Sequence, residues 1–122
     1  MSTQQPLVSV VLTNYNNAPF LARAVQSVLA QTYPNWELIA VDDASADNSA
    51  EILASFTDPR ITVLRNERNR QVSVSHNLGN RQAKGQYIAA IDSDDEWMPD
   101  KLEKQVAYME AHPETGACFT WL

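Results

Sequence analysis

The chain has 122 residues, of which 44% are hydrophobic and 20% charged, and its formal net charge is −6. That length supports one domain, residues 1–122, with a real core. The acidic balance excludes a general nucleic-acid or membrane-surface binder, since both need a basic face, but it leaves a phosphate ligand open because a divalent cation inverts the local field.

Residues Met1–Pro6 are polar and uncharged, unlike a signal peptide. No apolar run approaches the roughly 18 residues of a membrane span, so no transmembrane segment and a soluble, cytoplasmic protein are expected. Leu7–Leu12 is β-branched and almost wholly apolar, the pattern of a strand buried on both faces. It runs into the polar loop Thr13-Asn14-Tyr15-Asn16-Asn17. Asn17 then suits a helix N-cap, with Pro19 in the first turn. Leu21, Ala24, Val25, Val28 and Leu29 follow at helical spacing, and Pro34 disfavours helix at Tyr33.

Trp36–Val41 reads as a second strand, ending in Asp42-Asp43. Asp47 or Asn48 is placed to cap a short helix through Phe56. Asp58-Pro59 marks a turn, Ile61–Leu64 a third strand, and Asn66–Gln71 a polar loop. A helix is predicted from Val72 to Ala83, with Gly85 as its left-handed stop. Gly79 inside it costs roughly 1 kcal/mol against alanine, which a close approach to a neighbouring strand would offset.

Tyr87–Ile91 is an apolar run that reads as a buried strand and ends in Asp92-Ser93-Asp94-Asp95, three carboxylates within four residues. Pro99 opens a last helix with Leu102, Val106 and Met109 on its apolar side. Ala117–Leu122 reads as the start of a fifth strand, and its Cys118, the one cysteine, as a buried core thiol. Trp36, Trp97 and Trp121 are each explicable as packing residues.

Alternating strands and helices imply right-handed crossovers and a mostly parallel sheet flanked by helices, an α/β fold. The loops after Leu12, Val41 and Ile91 then leave the same edge, where open α/β sheets bind ligands. Two of these loops carry paired acids, and the third carries Tyr15 among asparagines. The plainer reading of the acids is a solvated cap on the next helix. Their convergence favours a site in which oxygen ligands hold Mn²⁺ or Mg²⁺ beside a phosphate. With 3 glycines in the chain, no glycine-rich phosphate loop is available.

In these blocks the chain resembles the nucleotide-binding half of an inverting family 2 glycosyltransferase with the GT-A fold. The matching residues are Val8–Asn16, Ser27–Leu38, Val41–Ser45, Asn77–Gly79, Ala83–Ile88, and Asp92–Asp95 with Trp97. The resemblance implies a Rossmann-like donor-binding domain, truncated before its acceptor half. It implies that Asp43 hydrogen-bonds the base of a sugar nucleotide, usually uracil, and that Tyr15 lies against that base. Thr13 and Asn14 would line the same pocket. Asp92 and Asp94 supply the Asp-x-Asp signature: Asp92 beside ribose and metal, Asp94 on the Mn²⁺ or Mg²⁺ that bridges the diphosphate. Asp42 has the alternative of turning into the strand–loop junction, and Asp95 that of capping the helix near Pro99.

Two departures from the family pattern stand out. Gln71 replaces a loop glycine, and Ser75-His76-Asn77 stands where Ala-Arg-Asn is common. Arg70 is the candidate to bring a positive charge to the nucleotide, while His76 reads as a half-buried helix residue. The resemblance also implies that the acceptor and the general base belong to a following half. No catalytic residue is therefore assigned, and the chain alone is expected to bind a UDP-sugar without transferring it. An apolar face at the truncated edge would favour self-association. A flavodoxin-like receiver domain holding Mg²⁺ is the alternative, but it expects an acid at the third strand's tip, where Leu64-Arg65-Asn66 stands.

Overall fold

The computed structural model describes residues 5–69 and 72–112. In chain order the elements are β1 (Val8–Asn14), α1 (Ala18–Leu29), β2 (Trp36–Asp42), α2 (Ser49–Ala54), β3 (Ile61–Arg65), α3 (Val72–Gln82), β4 (Tyr87–Asp92) and α4 (Lys101–Ala111). The strands form one parallel sheet in the order β3-β2-β1-β4. Sequence and structure therefore agree on an α/β fold with a parallel sheet. The order also excludes the flavodoxin-like alternative, in which the third strand would lie on the far side of the first.

Burial explains why β1 and β2 read as continuous apolar runs. Every residue of β1 is buried, and β2 is buried except for the half-exposed Glu37. Val8, Val10 and Leu12 face one layer, where they join Leu21, Ala24 and Val25 of α1 and Leu102 of α4 in the main core. Val11 and Val41 point to the opposite layer, against α3. That contact is why Gly79 stands in a helix: a Cβ there would lie 2.4 Å from Val11 Cγ1. Trp36 and Trp97 are both core residues.

Several expectations need correction. Tyr87–Ile91 reads as a buried strand in the sequence, yet among the described residues β4 is an edge strand with one face open; Ile88 is 52% exposed. Gly85 is not a left-handed stop, because no described glycine has a positive φ. It is a close approach instead: a Cβ at Gly85 would meet Leu7 O, Ser9 N and Ser9 Oγ, each at 2.7 Å. The backbone N–H of Gly85 donates to Ser9 Oγ at 2.7 Å, and that hydroxyl donates to Glu37 Oε2 at 2.5 Å. Finally, α4 begins at Lys101 with Asp100 as its N-cap residue, two positions beyond Pro99. The fifth-strand segment, with Cys118 and Trp121, lies outside the described residues.

Candidate nucleotide and metal site

The carboxyl ends of all four strands leave one edge of the sheet. The chain's direction across the sheet reverses between β1 and β4, because β2 and β3 extend to one side and β4 lies on the other. Open α/β sheets bind ligands at such a switch point. A cleft of about 370 Å³ opens there, and Thr13, Asn14, Tyr15, Asp43, Asp92 and Asp94 all line it. Of the residues expected at the site, only Arg70 is not among them, and it lies outside the described residues.

Backbone hydrogen bonds carry the ladder past the strand ends and fix the tips. Asp43 N donates to Asn14 O at 2.8 Å, Asn66 N to Asp42 O at 2.9 Å, and Ser93 N to Thr13 O at 3.2 Å. Asp42 and Asp43 then take different roles. Asp42 turns into the junction beneath the loops, where its carboxylate accepts from Asn14 Nδ2 at 2.8 Å and from the Ser45 hydroxyl at 2.6 Å. Arg65 completes an ion pair with it at 3.4 Å. Asp43 faces the cleft, and its carboxylate accepts from Asn66 Nδ2 at 2.8 Å. Asn14 uses its amide hydrogens on Asp42 and Ser45, and its Oδ1 is buried with no partner among the described residues. A water or a ligand donor at the cleft wall would satisfy that acceptor.

The first two loops are stitched together. Asn16 N donates to Ser45 Oγ at 2.9 Å, and Ala46 N donates back to Asn16 Oδ1 at 2.7 Å. Two residues adopt left-handed backbone here, Asn16 with φ 53° and Ala44 with φ 60°. Asparagine tolerates this conformation; alanine does so at a cost of about 1–2 kcal/mol. That strain sits directly after the Asp42-Asp43 pair. Tyr15 is 47% exposed at the cleft mouth, so its ring is available to a planar group.

The third loop gathers the acids. Asp95 N donates to Asp92 O at 2.9 Å, closing a tight turn. Ser93 points inward and accepts from Asn17 Nδ2 at 3.0 Å, which leaves the flanking acids outside. Carboxylate oxygens of Asp92, Asp94 and Asp95 lie within 4.8 Å of one another, all on exposed residues. Partial burial raises the Asp92 carboxyl above its usual range, the charges of Asp95 and Asp94 raise it further, and His76 opposes them. Oxygen ligands at this spacing fit a hard divalent cation, whose charge would remove the repulsion. Asp95 belongs to this acidic turn and is not the cap of α4. His76 is half-buried on α3, as its sequence context suggests.

Sequence reasoning missed Asn17, Ser75 and Ser93, which also line the cleft, and Asn66 behind it. Ser75 did carry a signal. It precedes Gly79 by four residues and so shares the face of α3 that packs on the sheet.

Set against known proteins, residues 9–122 match the sequence model of the family described as "Glycosyl transferase family 2". The Escherichia coli relative "UDP-Glc:alpha-D-GlcNAc-diphosphoundecaprenol beta-1,3-glucosyltransferase WfgD" is 41% identical over 103 residues, covering 84% of this chain and 41% of its own. Two solved structures are similar. S. aureus TarS 1–349 in complex with UDP-GlcNAc has a TM-score of 0.83 at 25% identity, over 87% of this chain and 32% of that one. The mannosyltransferase PcManGT from Pyrobaculum calidifontis, in complex with GDP-Man and Mn²⁺, has a TM-score of 0.87 at 27% identity, over 98% of this chain and 37% of that one. The chain spans about two fifths of the length of the curated relatives it matches.

Proposed function

The chain belongs to glycosyl transferase family 2, and from that premise we propose that its cleft binds a nucleoside-diphosphate sugar, a UDP-sugar, together with Mn²⁺ or Mg²⁺. The observation that carries this reading is the convergence at one switch point of Asp43, Tyr15 and the Asp92–Asp95 turn. Asp43 accepts a hydrogen bond from the base, Tyr15 covers the base face, and Thr13 and Asn14 form the wall between them. Asp92 lies toward the ribose and the metal, and Asp94 is the principal metal ligand. Arg70 completes the proposal as a cation directed at the nucleotide. When bound, a divalent ion neutralises the charge that develops on the departing diphosphate.

Support for the donor class comes from the similar structures, which were solved with UDP-GlcNAc and with GDP-Man plus Mn²⁺. Transfer with inversion also needs a base on the acceptor hydroxyl, on the face opposite the leaving group. None of the cleft residues is assigned that role, and what is proposed for this cleft is donor binding. Relatives are named for teichuronic acid and colanic acid biosynthesis, and the proposed setting for this chain is cell-surface polysaccharide assembly. No described helix is long and apolar enough to cross a membrane, and a cytoplasmic location is part of the proposal.

Calorimetric titration with UDP tests the site. With Mn²⁺ present the wild type binds, and EDTA or Asp94→Ala weakens binding by about tenfold or more. UDP binding that ignores both EDTA and Asp94→Ala overturns the metal assignment. No binding of any nucleoside diphosphate by the folded wild type overturns the donor site.

A further inference from the structure

Behind the cleft, one buried amide holds two of its lining groups. Asn66 Nδ2 donates to Asp43 Oδ1 at 2.8 Å and to Ser75 Oγ at 3.0 Å. All three residues are buried, Ser75 to 1% exposure. The chemistry fixes the direction of both bonds. An ionised carboxylate only accepts, so Asn66 must turn its NH₂ toward Asp43, and the second hydrogen of that NH₂ reaches Ser75. The Ser75 oxygen is thereby an acceptor toward Asn66. Its single hydroxyl hydrogen meets no acceptor among the described residues, and Ser75 lines the cleft beside Asp43.

We propose that Ser75 is a specificity residue and Asn66 its positioning residue. Together they present to the nucleobase a hydroxyl donor next to the Asp43 carboxylate acceptor. This inference rests on the donor site proposed above. A donor beside an acceptor complements the imide edge of uracil, where the ring N–H donates and the adjacent carbonyl accepts. Cytosine meets the same pair with the opposite polarity: its ring nitrogen is an acceptor facing a carboxylate, and its amino group is a donor facing a hydroxyl donor. A site built to hydrogen-bond a base rejects an analogue that leaves its buried polar groups unpaired. Asn66 matters because it sets the polarity. Without its NH₂ the Ser75 hydroxyl is free to donate to Asp43, and the cleft loses its distinct donor.

The test titrates UDP, CDP, GDP and inorganic pyrophosphate, each with Mn²⁺, into wild type, Ser75→Ala and Asn66→Ala, with thermal melts to establish folding. The wild type is expected to prefer UDP over CDP. Ser75→Ala should lower UDP affinity by about tenfold, the loss of one buried hydrogen bond, and narrow the UDP-over-CDP preference. Its pyrophosphate affinity should stay unchanged. Asn66→Ala should narrow the same preference with pyrophosphate binding retained. A Ser75→Ala protein that keeps the full UDP-over-CDP preference overturns the inference, as does a loss of UDP and pyrophosphate binding in parallel. A wild type that selects GDP overturns it too, while leaving the donor site standing. A wild type that binds no nucleoside diphosphate removes the donor site itself.

Discussion

Gly79 shows how a single missing methyl positions a site. Its helix packs so closely on the sheet that the nearest carbon of Val11 would be 2.4 Å from an added Cβ. Gly79→Ala would gain roughly 1 kcal/mol of helix propensity. Val11 is fully buried between strands and cannot withdraw, so overpacking of about 1–3 kcal/mol opposes that gain. The expected net loss is about 1 kcal/mol, read as a lower urea midpoint. UDP affinity should fall with it, because Ser75 rides on the same face of the helix.

At the scale of elements, the turn between α2 and β3 ties the edge strand to the core. The Arg60 guanidinium lies 3.8 Å from the centre of the Trp36 ring and donates to Asp58 at 2.8 and 3.1 Å. Those hydrogen bonds from Arg60 hold the Asp58 carboxyl down at about 2. Because the folded value lies below the unfolded one, the contribution is present at neutral pH and is lost as pH falls through about 2. Asp58→Asn should therefore lower the urea midpoint at pH 7, and the gap from wild type should close toward pH 2. The pair is partly exposed, so the effect should stay below about 1 kcal/mol. Element boundaries of this kind were legible in the sequence, because apolar periodicity and turn residues are local signals. Partners of cap residues were not. Asn17 stands at the N-cap of α1 as its type suggests, yet its side chain donates to Ser93, and the Ala18 N–H is taken by Asp47 from the next loop. Likewise Gly85 follows a helix as a stop signal does, but the reason for glycine there is a strand's backbone. Asp43 could be read from its place after an apolar strand. Asn66 could not, since only the folded sheet brings it behind Asp43.

The cleft draws its lining from residues as far apart in the chain as Thr13 and Asp94. Ligand binding should therefore stabilise the fold globally. With Mn²⁺ and UDP at about a hundred times Kd, the expected gain is about 2.7 kcal/mol, visible as a rise in Tm. Asp94→Ala should show little of that rise at the same concentrations, and a wild-type Tm indifferent to the pair would contradict the linkage.

The stitching of the first two loops has a consequence for anyone redesigning the protein. Asn16 donates to Ser45 and accepts from Ala46 across the gap, and Asp47 receives the first amide of α1. Neither loop is an independent module. A graft of the Asn14–Asn17 segment that lacks the side chain of Asn16 would strand the Ala46 N–H, and a graft of the second loop that lacks Ser45 would strand the Asn16 N–H. The two loops behave as a single cassette, to be transplanted together or left in place.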